Sequence, residues 1–178
     1  LVSGYEFEKS LSWYAAAEAL GMKVDNSGKI FLFRNKHDGT FEDVSEKTGL
    51  NKIVFAMGAN FGDIDNDGYQ DMYFGTGNPV YQSLLPNKMF KNINGHRFVD
   101  VTSSARVGNL QKGHGVSFAD LDNDGDLDLV INNINDNAFV YRNQGRELNN
   151  NSYFAIKLKG IKGNSNAIGT KLYLYARG

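Results

Sequence analysis

No cysteine occurs in the 178 residues, which excludes disulfide bonds and thiolate metal sites. Neither sign of charge dominates: 19 basic and 20 acidic residues leave a net charge of −1, so nothing in the overall balance favours nucleic acid or an anionic membrane surface as partner. No apolar run approaches the roughly 20 residues that a membrane helix needs, and no secretory signal is present. Catalytic signatures are missing as well. No serine stands in a nucleophile-elbow sequence, and Gly75-Thr76-Gly77 leads into Asn78-Pro79 rather than into a helix, as a phosphate loop would. These absences predict a chain without a catalytic site of its own. It begins with Leu1, not Met, and the expectation is a segment of a longer protein whose export signal would lie upstream.

What the chain does contain is a core and a repeat. Hydrophobic residues make up 41% of it, ample for a packed interior. The segment FGDIDNDGYQD at 61–71 returns as FADLDNDGDLD at 118–128, an offset of 57. The same offset carries Asn35 onto Asn92, Phe41 onto Phe98, Asp43 onto Asp100, Val44 onto Val101 and Gly58 onto Gly115. An ungapped match of this length marks a repeat architecture.

Each copy reads as short strands. Val116 and Phe118 alternate with Ser117 and Ala119 before the second Asp-rich segment, and Leu127, Leu129 and Ile131 alternate after it, the period of a strand with one face more buried than the other. Further strands are predicted at Phe31–Phe33, Lys88–Phe90 and Phe139–Tyr141, each followed by a basic residue and an asparagine. The first two continue through a Gly-containing turn into a fourth strand, Phe41–Val44 or Phe98–Val101. One helix is predicted over 10–20, capped by Ser10 or Ser12 and ended by Gly21. It is read as an insertion packed on the rim of the repeat, the alternative being a partner-binding edge that presents Trp13 and Tyr14. Residues 144–152 read as a linker. Beyond them, Phe154, Ile156 and Leu158, then Leu172 and Leu174, predict strands of a different element. Of the three histidines, His37 and His96 fall in turns, and His114 replaces Met57 of the first copy, which favours packing over chemistry.

Nine of the 20 acidic residues fall in Asp63–Asp71 and Asp120–Asp128, both spaced D-x-D-x-D-G-x-x-D. Carboxylates at alternate positions of a tight loop supply the oxygens that a hard cation such as Ca2+ requires. In the first loop the expected ligands are Asp63, Asp65, Asp67, the carbonyl of Tyr69, and Asp71, with Gly68 making the turn. In the second they are Asp120, Asp122, Asp124, the carbonyl of Asp126, and Asp128. About two ions are therefore expected, and metal-free loops are expected to be mobile because their carboxylates repel. An EF-hand is rejected: position twelve is Phe74 or Ile131 rather than Glu, and strands flank both loops. A glycosidase-type carboxylate pair is rejected because these side chains converge on one point instead of facing each other across a substrate.

These loops, entered through Phe61-Gly62 or Phe118-Ala119 and left through Asp71–Phe74 or Asp128–Ile131, resemble the FG-GAP/VCBS repeat of integrin-alpha-type β-propellers. Arg34-Asn35, Gly39-Thr40-Phe41 and Asp43-Val44 belong to the same pattern, which covers about 22–143. The tail, Tyr153–Gly160 with Asn164–Asn166 and Ile168–Leu172, resembles the start of the ASPIC/UnbV domain, which follows such repeats in a family related to the cartilage acidic proteins. The resemblance implies an all-β fold: a partial propeller of four-stranded antiparallel blades with calcium loops and one short helical insertion. The implied domains are blades over 1–143, including a partial one at the N-terminus, a linker over 144–152 and an ASPIC/UnbV-like start over 153–178. The implied function is a calcium-binding, extracellular, cell-surface or periplasmic module that binds or adheres to a protein or glycan. The alternative is a non-catalytic portion of a larger polysaccharide-processing enzyme. Ala119 for Gly62, and Asn132-Asn133 where the first copy has Gly75-Thr76-Gly77, imply that a ligand surface built there need not be common to both copies. At 57 residues per unit, the stretch before 144 holds about two and a half blades, fewer than the roughly four to eight of a ring, so an incomplete propeller is expected.

Overall fold

The computed structural model describes residues 2–3, 11–24, 28–77, 85–149 and 155–175. In chain order its elements are β1 (Val2–Ser3), α1 (Leu11–Ala19), β2 (Ile30–Phe31), β3 (Phe33–Asn35), β4 (Phe41–Asp43), β5 (Ala56–Gly62), β6 (Asp71–Thr76), β7 (Lys88–Ile93), β8 (Arg97–Asp100), β9 (Gly113–Ala119), β10 (Asp128–Asn133), β11 (Phe139–Tyr141) and α2 (Gly145–Asn149). The strands form four antiparallel sheets: β1-β2, β3-β4, β5-β6-β7-β8 and β11-β10-β9. The chain is all-β with little helix.

The 57-residue period is built into the strand register. β5 pairs with β6 from Gly62 opposite Asp71 to Ala56 opposite Thr76, and β9 pairs with β10 from Ala119 opposite Asp128 to Gly113 opposite Asn133. Both ladders slip at the same place, between Ala56 and Gly58 and opposite Asn132/Asn133, as a conserved bulge position in two copies of one unit would. The third strand differs in its approach. β7 enters opposite Phe74 at Lys88, and β11 enters opposite Ile131 at Phe139, over a shorter connection.

The four-stranded sheet is covered on both faces. Met72, Phe74 and Phe90 pack with Ile30, Leu50 and Val54 on one side. Tyr73 and Met89 pack with Val107, Leu129 and Ile131 on the other. Successive side chains of a strand point to opposite faces, so every residue of β6 is buried and its sequence shows no polar alternation. Among the described residues the last sheet is covered on one face only: Val130 lies opposite Ser117 and Val140, and Val140 is 62% exposed. Adjacent sheets meet backbone to backbone. A Cβ on Gly58 would sit 1.9 Å from the His114 carbonyl oxygen, and one on Gly75 would sit 2.1 Å from that of Gly113, so only glycine permits this approach. The Gly75-Thr76 segment is thus interior. Thr76 is buried, with its N–H donating to Asn87 Oδ1 and its hydroxyl to the Leu85 carbonyl, and these two residues are not part of an exposed ligand surface.

The helix packs as an insertion. Tyr14 and Ala17 are buried with Val24, Ile53, Phe55 and Leu85, and Glu18 Oε1 accepts the Ile53 N–H at 2.9 Å. Gly21, at φ +73°, ends it as expected; Gly21 N–H donates to Glu18 O and Met22 N–H to Ala17 O, the two bonds of a Schellman motif. Ser12 lies inside the helix, and Ser10 lies outside the described residues.

Three expectations change. Phe31–Phe33 is not one strand: the Leu32 N–H donates to Ser45 Oγ at 2.8 Å, and β2 and β3 pair with different partners on either side of it. Residues 145–149 of the expected linker form a helical turn, because Asn143 Oδ1 caps it by accepting the Gly145 N–H. No strand forms among the described residues 155–175. Their alternating side chains, such as Leu158, Leu172 and Leu174, are exposed, since alternation alone makes no strand without a neighbouring ladder to satisfy its backbone. Phe154 lies outside the described residues.

Candidate cation loops

Both Asp-rich loops join the edge strand of a sheet to its inner neighbour, β5 to β6 and β9 to β10, and fold alike. Asn66 and Gly68 in the first, and Asn123 and Gly125 in the second, take left-handed backbone conformations, with φ of 57°, 88°, 62° and 92°. The opening carboxylate holds the turn closed. Asp63 accepts the Asp67 and Gly68 N–H groups at 3.0 and 2.9 Å, and Asp120 accepts those of Asp124 and Gly125, both at 3.1 Å. The ninth-position carboxylate ties the loop to the next strand. Asp71 accepts the Ile64 and Asn92 N–H groups at 3.0 and 2.7 Å, and Asp128 accepts those of Leu121 and Asn143 at 3.1 and 2.8 Å. Both are almost wholly buried.

Carboxylate oxygens of Asp63, Asp65 and Asp71 lie within 4.8 Å of one another, as do those of Asp120, Asp122 and Asp124. These two triads gather six of the residues picked out by spacing. Asp67 sits beside the first triad, where its Oδ1 accepts the Tyr69 N–H. Burial pushes the Asp71 carboxyl above the usual range, and the neighbouring charges of Asp65 and Asp67 add to this against the two N–H donors. Asp65 Oδ1 is buried with no hydrogen-bond partner. A buried carboxylate oxygen without a donor is costly, and an all-oxygen group with one such atom suits a hard cation.

Two basic residues that spacing did not single out reach these carboxylates. Lys91 on β7 pairs with Asp65 and Asp67. Arg142, just after β11, pairs with Asp122 at 2.6 Å, with Asp124 at 3.5 Å and with Glu147 at 2.6 Å. Its hydrogen bond holds the Asp122 carboxyl below the usual range, and the bond to Asp65 raises the Lys91 ammonium. The signal was the basic-Asn pair that ends Phe31–Phe33, Lys88–Phe90 and Phe139–Tyr141 alike. Asn92 Nδ2 donates to the Gln70 carbonyl and Asn143 Nδ2 to that of Leu127, its repeat equivalent. These ion pairs and hydrogen bonds set attractive contacts against the mutual repulsion of the loop carboxylates.

The two loops also touch. Asn66 Nδ2 donates to Asp126 Oδ1 at 2.9 Å, Asp126 Oδ2 accepts the Arg146 N–H, and Asn143 Nδ2 donates to the Ile64 carbonyl at 2.7 Å. The Asp126 side chain therefore links the first loop to α2.

Residues 16–74 and 80–131 match the family model of the FG-GAP-like repeat. Cartilage acidic protein 1 of Xenopus tropicalis is 33% identical over 112 residues, which is 62% of this chain and 16% of that protein. The Homo sapiens protein of the same name is 30% identical over 124 residues, and that of Mus musculus 33% over 124; each match covers 67% of this chain and 18% of the relative. The chain spans less than a fifth of the length of these curated relatives.

Proposed function

Because the chain belongs to the FG-GAP-like repeat family, we propose that it is a calcium-dependent, non-catalytic binding module, its two Asp loops each holding one Ca2+ at the edge of a propeller blade. Asp63, Asp65, Asp67, the Tyr69 carbonyl and Asp71 hold the first ion; Asp120, Asp122, Asp124, the Asp126 carbonyl and Asp128 hold the second. A bound cation supplies positive charge at the point where these carboxylates converge. The observation that carries the reading is Asp65 Oδ1, a buried carboxylate oxygen with no donor, inside a cluster of three carboxylates, in a loop whose spacing recurs 57 residues later.

The stacked sheets, one covered on both faces, favour blades of a larger propeller. In this reading the blades occupy 1–143, and 144–152 leads into an ASPIC/UnbV-like segment over 153–178. The module works outside the cytoplasm, where calcium is abundant enough for sites of roughly 10⁻⁴–10⁻³ M affinity, and presents its loops to a protein or glycan. No described helix is long and apolar enough to cross a membrane.

Calorimetry with a thermal melt tests it. Two calcium ions are expected to bind, and about 10 mM calcium to stabilise the fold by about 1.4–2.7 kcal/mol per site, reversibly in chelator. No binding heat at millimolar calcium would sink the proposal.

A further inference from the structure

Lys91 and Arg142 each place a protein cation against two of the carboxylates proposed to hold a metal. Lys91 Nζ contacts the third- and fifth-position carboxylates of the first loop, Asp65 and Asp67. Arg142 contacts the same two positions of the second, Asp122 and Asp124. The match arises from two residue types reached over unequal separations, 26 residues from Asp65 to Lys91 and 20 from Asp122 to Arg142. What the two share is their place in the fold: each immediately precedes the asparagine whose N–H binds the ninth-position carboxylate.

We propose that Lys91 and Arg142 are built-in competitors of the metal, holding each loop closed when it is empty and yielding its carboxylates when calcium enters. This rests on the calcium reading above. An oxygen that accepts from an ammonium or guanidinium cannot at the same time turn the same lone pairs to a metal, and two cations side by side repel. Each loop therefore has two exclusive closed states, and the protein keeps its fold across a change in calcium at the expense of affinity.

The two competitors are unequal. Lys91 is a single point charge on a flexible stem, able to swing away. Arg142 is a planar fork held by Asp122, Asp124 and Glu147 together, and it must break more contacts to leave. The first loop is accordingly the tighter calcium site.

The test is calcium calorimetry on the whole chain, with melting of the metal-free protein alongside. Lys91→Met is expected to tighten calcium binding at the first loop by about tenfold, the smallest effect usual for removing a neighbouring charge, while lowering the metal-free melting temperature. Lys91→Arg is expected to bind no tighter than wild type. Arg142→Gln reads the same competition at the second loop. If wild type binds calcium and Lys91→Met binds it no more tightly, the competition is refuted and the calcium reading stands. If neither binds, both fall. A calcium-loaded structure of the unmodified chain in which Lys91 Nζ still contacts Asp65 would also refute it, whatever the folding of the variants.

Discussion

The side-chain amide of Asn66 donates to the carboxylate of Asp126, 60 residues on in the chain, at 2.9 Å and so bridges the two loops. Asp126 is 3% exposed. By spacing alone it offers a metal only its carbonyl, so truncating its side chain is expected to cost little calcium stabilisation. The contact adds a metal-free role: Asp126→Ala removes an acceptor of the Asn66 amide and of the Arg146 N–H, and is expected to cost about 0.5–1.5 kcal/mol without metal. Denaturant unfolding of a double-mutant cycle with Asn66→Ala measures it. A coupling energy near zero would mean that the bridge does not join the loops.

The ninth-position carboxylates carry two duties. Asp71→Ala and Asp128→Ala each remove a proposed metal ligand and the acceptor of two backbone N–H groups. Both variants are expected to lose calcium stabilisation at their own loop and about 1–3 kcal/mol of metal-free stability. Thermal melts with calcium and with chelator separate the two losses. A variant as stable as wild type in chelator would refute the structural duty.

Sheet stacking depends on Gly58. Alanine there pushes a Cβ into the His114 carbonyl, whose backbone must move, at an expected cost of about 1–3 kcal/mol. Gly163 has nothing within 4 Å of the equivalent position, and Gly163→Ala serves as the near-neutral control. Equal unfolding midpoints for the two variants would contradict the close approach of β5 and β9.

Acid sensitivity should arise partly at Asp100. Burial pushes its carboxyl up, but the Thr102 hydroxyl and N–H, with Lys88, outweigh burial and hold it below its ordinary 3.8. A carboxyl lowered by folding binds fewer protons folded than unfolded, so its contribution is present above pH 3.8 and fades as pH falls through the folded value. The melting-temperature gap between wild type and Asp100→Asn is therefore expected to be constant near neutrality and to shrink below pH 3.8. A gap that widens on acidification would reverse the sign.

Much of this protein is legible in its sequence because the features concerned are local. The 57-residue period, the D-x-D-x-D-G-x-x-D spacing, the turn residues Gly68 and Gly125, and the alternation around Phe118 and Leu129 each reflect neighbours a few positions apart, where backbone geometry leaves few choices. Tertiary structure decided what depends on distant partners. Lys91 and Arg142 meet their loops only because β7 and β11 lie beside β6 and β10, and Asn66 finds Asp126 only because one sheet stacks on the next. The alternating residues of 155–175 carry a strand's pattern without a strand, since a strand's hydrogen bonds belong to its neighbour. Periodicity shows which face a side chain takes, and packing across sheets determines what it meets there.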